Sequence, residues 1–269
     1  MKVSPFTSAT ENTSPVNPTR GGEIVPARTA AADQMPAPLA RHSRLAVLKG
    51  ASAGVAAATL IGLSSMAAYA QSMSNDEWLK AVFNILATGE KLNVVFYQLG
   101  VANHDRLGFH GDQLLSLKAI LIEEQIHNNA AEAHGGVAAT THFSFPLGAA
   151  TFTDRVSFLT TMKQIEETTN AALLALIHDC AERGLTSYAR LAGQLLSVEG
   201  GHRVVGRMLL GMHPVEDWAF GPALLTNFLD VPGAVTKAGF LSPAPGNDFP
   251  YQPVSASLPG VSYTAPVTA

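Results

Sequence analysis

The sequence predicts an all-α fold, a four-helix bundle followed by a short helix and an extended tail. Two observations support this prediction. Apolar residues recur at three- and four-residue spacing in four segments, at about 75–100, 111–134, 154–183 and 185–211. In addition, each of the four segments carries one glutamate on its apolar stripe, which indicates that the four helices pack around a shared polar centre.

The four segments carry the start and stop signals of helices. Asn75 and Asp154 are the predicted N-caps of the first and third helices. Gly184 separates the third helix from the fourth, so these two should form a tight antiparallel pair. The connection at about 135–153 contains Gly, Pro and aromatic residues, and it is long enough to cross a bundle.

The composition changes after His213-Pro214. Residues 215–240 are expected to hold one or two short helices. Residues 241–269 are rich in Pro and Gly and should form an extended tail, either packed or loose. The bundle with its short helices is therefore predicted to span residues 71–240.

The chain begins with two segments that do not belong to the predicted bundle. Residues 1–40 are rich in Pro, Thr, Ser, Ala and Gly without an apolar period, and we expect them to be disordered. Residues 41–70 contain basic residues, then an apolar run, then Ala68-Tyr69-Ala70, which is the order of a secretory signal peptide. Cleavage after Ala70 would export the protein to the periplasm or outside the cell, and an uncleaved membrane anchor is the alternative.

The charge balance argues against nucleic acid as a partner. The formal net charge is −4, and residues 71–269 hold 11 Lys or Arg against 18 Asp or Glu. Such an acidic chain lacks the basic footprint of a nucleic-acid-binding protein. No membrane association is expected after signal cleavage, a homo-oligomer is possible, and Cys180 as the single cysteine excludes an intramolecular disulfide.

Every predicted helix places a carboxylate where an apolar residue is expected. These residues are Glu90, Glu124, Glu166 and Glu199, and no lysine or arginine lies in register with them on the stripes. A buried carboxylate must be paired, protonated or bound to metal. Two divalent cations would balance the four negative charges.

The spacing divides the chain into two similar halves. Glu124 and His127 are three residues apart, as are Glu199 and His202, so each pair projects from one helix face. Glu90 precedes Glu124 by 34 residues and Glu166 precedes Glu199 by 33. Two such hairpins packed about a twofold axis would bring all six side chains together.

This double pattern resembles the ferritin-like di-iron and di-manganese carboxylate proteins. The resemblance covers about residues 75–240 and implies that Glu124 and Glu199 bridge two metal ions, with His127, His202, Glu90 and Glu166 as terminal ligands. The local sequence around Phe96-Tyr97 and Phe152-Thr153-Asp154 is similar to that of a group of exported bacterial ferritin-like proteins. This group includes desiccation-related proteins.

The resemblance implies two iron or two manganese ions and redox chemistry with O₂ or peroxide in protection against stress. The competing interpretation is a non-catalytic desiccation or stress protein, in which the metal site is structural or vestigial. Tyr97 lies seven residues after Glu90 on the same face, so it is a candidate hydrogen-bond donor or redox-active phenol near the metals. Its alternative role is that of a core tyrosine. Glu123 and Glu167 neighbour the ligands but point about 100° away, toward solvent or a supporting position.

Overall fold

The structure, a computed structural model, describes residues 72–255. Its helices are α1 (Asn75–Ala102), α2 (His104–Leu107), α3 (Asp112–Ala133), α4 (Arg155–Glu182), α5 (Thr186–Leu209) and α6 (Val231–Lys237). Two 3₁₀ turns (Gly148–Phe152 and Phe228–Asp230) and two short strands, β1 (His142–Phe143) and β2 (Phe249–Pro250), complete it. The predicted N-terminal disordered segment and signal peptide, and residues 256–269 of the tail, lie outside the described residues.

The four long helices pack as two hairpins, α1 against α3 and α4 against α5. This arrangement confirms the predicted all-α ferritin-like bundle, including the short helix near the C-terminus. The α4–α5 turn contains Gly184 with a φ of 70°, a left-handed conformation that glycine adopts without a steric cost. Within residues 72–255, no helix combines the length and apolarity needed to cross a membrane.

The helix starts follow the predicted chemistry with one correction. Asp154 caps α4, because its carboxylate accepts a hydrogen bond from the Ser157 amide at 2.7 Å. The prediction that Asn75 caps α1 is wrong, since Asn75 is the first helical residue and Ser74 is the cap. Ser74 and Glu77 form a capping box in which each side chain bonds the other residue's amide, and this pair satisfies two otherwise unpaired donors.

Aromatic residues fill one end of the bundle. Phe96 on α1 stacks on Phe158 on α4 with ring centroids 4.5 Å apart. Phe145 and Phe152 from the long α3–α4 connection pack edge to face beside them at 5.0 Å. This connection therefore crosses the bundle end as expected and contributes to its core.

The C-terminal segment is packed against the bundle as far as the structure describes it. β2 pairs antiparallel with β1, which belongs to the α3–α4 connection. Beyond β2, the Tyr251 hydroxyl lies 3.1 Å from Gln125 Oε1, and the Val254 amide donates to the same oxygen at 3.0 Å. The Tyr251 ring also carries the Lys91 ammonium 4.2 Å from its centroid.

Two arginines of α5 are buried rather than exposed. Arg203 and Arg207 have 1% and 3% of their surface accessible, although exposure is the more usual state of arginine. Arg203 donates to Glu216 at 3.0 Å and also to Asp217, and Arg207 Nε donates to the Val215 carbonyl at 2.7 Å. The two guanidinium groups thus hold the segment that follows α5 against the bundle.

Candidate metal centre

The four long helices bring all six predicted ligands to the centre of the bundle. α1 supplies Glu90, α4 supplies Glu166, and α3 and α5 each supply a Glu-x-x-His pair. Each of these side chains is buried, with at most 9% of its surface accessible: Glu90, Glu124, His127, Glu166, Glu199 and His202. The helical spacing of these six residues in the sequence therefore places their side chains together in the bundle.

The ligand atoms form two overlapping groups. In one group, atoms of Glu90, Glu124, His127 and Glu199 all lie within 4.8 Å of one another. In the other, atoms of Glu124, Glu166, Glu199 and His202 do the same. The two groups share Glu124 and Glu199, so the arrangement contains two adjacent positions suited to a cation, with two carboxylates common to both.

Each shared carboxylate extends between the two imidazoles. Glu124 Oε1 lies 3.1 Å from His202 Nδ1, while its Oε2 lies 3.8 Å from His127 Nδ1. Glu199 Oε1 lies 3.0 Å from His127 Nδ1, and its Oε2 lies 3.2 Å from His202 Nδ1. One oxygen of each glutamate thus faces each half of the site.

The remaining two carboxylates belong to one half each. Glu90 Oε2 lies 3.9 Å from His127 Nδ1, and Glu166 Oε2 lies 3.8 Å from His202 Nδ1. The half-site of α1 and α3 is therefore completed by Glu90, and the half-site of α4 and α5 by Glu166.

Several ligand atoms are buried without a hydrogen-bond partner among the described residues. They are Glu90 Oε2, Glu124 Oε1, His127 Nδ1, Glu166 Oε2 and Glu199 Oε1. His127 Nδ1 and Glu199 Oε1 are 3.0 Å apart but are not aligned for a hydrogen bond. Because unsatisfied buried polar atoms are rare and costly, their convergence fits the coordination of cations. Carboxylate oxygen and imidazole nitrogen are suitable donors for divalent metal ions.

No basic side chain compensates the carboxylates in the described part of the chain, where their ion-pair partners are the two histidines. Lys91 follows Glu90 and is buried, but it pairs with Glu132 and donates to Asn128 at 3.2 Å. The Lys91 ammonium therefore does not neutralise the carboxylates of the site.

The electrostatics divide the carboxylates into two kinds. Burial, and then repulsion from the shared carboxylates, raises the pKa of Glu90 and Glu166 well above the ordinary range. Burial also acts to raise the pKa of Glu124 and Glu199, but the adjacent His127 and His202 outweigh it and hold both values below the ordinary range. Burial acts to lower the pKa of both histidines, yet the carboxylates around them raise it well above its usual value. The four carboxylates therefore compete for positive charge at the centre of the bundle.

Tyr97 and Glu123 contact the half-site of α4 and α5. The Tyr97 hydroxyl donates to Glu166 Oε1, and the fully buried ring lies 6.4 Å from the His202 ring. His202 Nε2 lies 2.7 Å from Glu123 Oε2, which leaves Nδ1 facing the other carboxylates. Burial and the Glu166 charge raise the pKa of the Tyr97 phenol, so it stays protonated as a donor.

Sequence analysis missed Asn93. Its amide nitrogen donates to Glu124 Oε2 at 3.2 Å, and the side chain is buried. The position three residues after Glu90, on the same face of α1, was a signal for this contact. Glu123, predicted either to face solvent or to support a ligand, takes the supporting position beside His202.

Two further groups of potential ligand residues lie at the surface. One comprises His104, Asp105 and His110, and the other His178, Asp179 and Glu182. Apart from Asp179, these side chains are largely or partly exposed, and Asp179 accepts a hydrogen bond from the Phe228 amide at 2.8 Å. Neither group shares the buried, unpartnered donors of the central site.

Comparison with known proteins is consistent with this geometry. Residues 79–212 match the protein family described as the ferritin-like domain, and this stretch contains α1 from residue 79 onward, α2 to α5 and all six candidate ligand residues. No curated protein and no solved structure matched the chain. Residues 79–212 are therefore a ferritin-like domain.

Proposed function

We propose that the protein binds two iron or two manganese ions in the bundle and carries out redox chemistry with O₂ or peroxide as an exported stress-protection protein. The observation that carries the proposal is the sharing of Glu124 and Glu199 between two ligand groups whose buried donors lack other partners. The export part depends on the signal pattern of residues 41–70, and the stress part on the similarity to desiccation-related proteins.

The roles of the six residues follow from which half of the site they face. Glu124 and Glu199 would bridge the two ions, because each directs one oxygen to each half. His127 and Glu90 would complete one ion, and His202 and Glu166 the other. A bound pair of iron or manganese ions supplies two one-electron changes, which is what reduction of O₂ to H₂O₂, or of H₂O₂ to two waters, requires.

The protein's own part is to position the ligands and keep water out. Tyr97 donates to Glu166, and Asn93 donates to Glu124, so two carboxylates are held by groups that do not bind metal. Glu123 accepts from His202 Nε2, which fixes the imidazole with Nδ1 toward the site. Such contacts are typical of a preorganised metal site.

A second candidate function is a structural site. The six ligands come from all four long helices, so bound metal would tie the α1–α3 hairpin to the α4–α5 hairpin. In that case the ions stabilise the bundle and turn nothing over. The two functions differ in whether the protein consumes oxidant beyond its own metal content.

The first test is metal analysis of the protein purified without chelator and without added metal. We expect about two Fe or Mn per chain, since each of the two ligand groups accommodates one ion. A folded protein without metal would contradict the proposal. The loaded protein is then given Fe²⁺ with O₂, or peroxide alone: turnover well beyond the bound metal supports the enzyme, and its absence supports the structural role.

The corresponding variants are Glu124→Ala and His202→Ala. Glu124→Ala should lose both ions because Glu124 belongs to both ligand groups, whereas His202→Ala should lose at least the ion of its own half. Glu182→Ala on α4 is the matched control, since that carboxylate is exposed and belongs to a surface group. Unchanged metal content in both ligand variants would overturn the assignment.

A further inference from the structure

An apolar cavity of about 60 Å³ ends at Glu90. It lies between α1 and α4, with α6 and the turn before it on the outer side. Most of its lining is aliphatic or aromatic, and the polar lining residues are Glu90, Asn93, Thr168 and Thr169. A mostly apolar lining suits nonpolar guests better than polar ones.

A second apolar cavity, of about 110 Å³, lies directly beside the first. Five residues line both: Ile85, Gly89, Leu92, Val231 and Val235. The wall of the second cavity also includes Ala139 and Pro232, which are exposed. The two cavities therefore adjoin, and together they extend from exposed residues near α6 to a buried carboxylate of the candidate metal centre.

Gly89 lies in the shared wall, in the middle of α1 and immediately before Glu90. A glycine in a helix interior costs about 1 kcal/mol relative to alanine, so its presence needs a reason. Close packing is not the reason, because a Cβ at position 89 would meet nothing within 4 Å. A side chain at this position would project into the space that the two cavities share.

We propose that Gly89 keeps open a passage through which a small nonpolar molecule, dioxygen, reaches Glu90 from the surface near α6. The apolar lining favours dioxygen over hydrogen peroxide, which would give up hydrogen bonds to water on entering. The assignment of dioxygen depends on the proposed redox function, whereas the existence of a passage for small nonpolar molecules does not.

Xenon tests the passage without metal or turnover. Xenon-129 NMR of the purified protein should show binding that Gly89→Leu abolishes and Gly89→Ala weakens. Gly193→Leu is the matched control, because Gly193 also lies within a long helix with open space at its Cβ and lines neither cavity. Absence of xenon binding, or equal loss in the control, would overturn the passage.

Kinetics test what the passage admits. In Gly89→Leu loaded with its metal, we expect the rate of oxidation by O₂ to fall about tenfold, as for a gated access step, with the rate for peroxide much less affected. Two outcomes would overturn the assignment of dioxygen. One is that Gly89→Leu slows oxidation by O₂ and by peroxide equally. The other is that Gly89→Leu no longer binds xenon but is oxidised by O₂ at an unchanged rate. If the protein binds no metal, the proposed function fails, but xenon binding still decides the passage.

Discussion

The two halves of the candidate metal centre carry the same ligand types in different surroundings. In the half formed by α4 and α5, Glu166 accepts a hydrogen bond from Tyr97 and His202 bonds Glu123. In the half formed by α1 and α3, Glu90 borders an apolar cavity, whereas Glu166 lines neither of the two cavities described above. His127 beside Glu90 is more accessible than His202, at 9% against 3%.

This difference indicates that the two halves of a nearly symmetric ligand set have different roles. Hydrogen bonds from outside the ligand set fix a ligand's orientation and increase its affinity for metal. A ligand that borders a cavity lies within reach of small molecules that enter the cavity. We therefore expect the half with Glu166 to hold metal more tightly, and the half with Glu90 to be where small molecules arrive.

The largest effect that sharpens this comparison is on metal affinity. Glu123→Ala and Tyr97→Phe should each lower the affinity of one of the two ions by about 10–100-fold, the usual cost of removing such support. Stepwise metal titration, monitored by calorimetry, measures the affinity of both binding steps. Glu182→Ala again serves as control, and equal weakening of both steps would show that the two halves are not distinct.

An intermediate effect on stability is expected from the segment that follows α5, which Arg203 and Arg207 hold against the bundle. Asp217→Asn should lower the free energy of unfolding by about 1.5 kcal/mol at neutral pH, because Asp217 accepts a charged hydrogen bond from buried Arg203. This hydrogen bond lowers the folded-state pKa of Asp217 below 3.8, so its stabilisation is present above pH 3.8 and is lost as the pH falls below it.

Urea unfolding of Asp217→Asn and of the unaltered protein at a series of pH values checks this prediction. The difference between the two should be constant near neutrality and should shrink below about pH 4. A difference that persists undiminished at lower pH would show that the aspartate charge is not its source.

The smallest effect should be equal in the two halves. Ser74 caps the helix that carries Glu90, and Asp154 caps the helix that carries Glu166. Ser74→Ala and Asp154→Ala should each lower the melting temperature by a similar small amount, because each variant removes the side chain that caps its helix. Metal content should not change in either variant. Thermal unfolding with metal analysis measures both, and loss of metal in only one would reveal a further asymmetry.

The sequence predicted the bundle because its helices carry strong local signals. Apolar periodicity, the Asp154 cap and Gly184 each act within a few residues, and such signals are visible without tertiary structure. The convergence of the six candidate ligands was also predictable, since carboxylates on apolar stripes conflict with burial unless they meet in one place. The Ser74 cap was missed because Asn75 beside it has an equally suitable side chain.

The surroundings of the site were not predictable in the same way. Glu123 contacts His202 across 79 residues of sequence, and no local pattern encodes that contact. The burial of Arg203 depends on a segment after α5 that has little regular structure of its own. The cavity beside Glu90 depends on how α6 lies against α1 and α4, which is a property of the tertiary arrangement.

The contact between Tyr251 and Gln125 spans 126 residues, and Gln125 directly follows Glu124. Contacts of such large sequence separation slow the folding of a domain. The outer face of α3 is therefore enclosed only after residue 251 has been synthesised. During translation the ligands of α1 and α3 are made well before the segment that covers their helix, so a nascent chain passes through a stage in which this side of the bundle is still open to solvent.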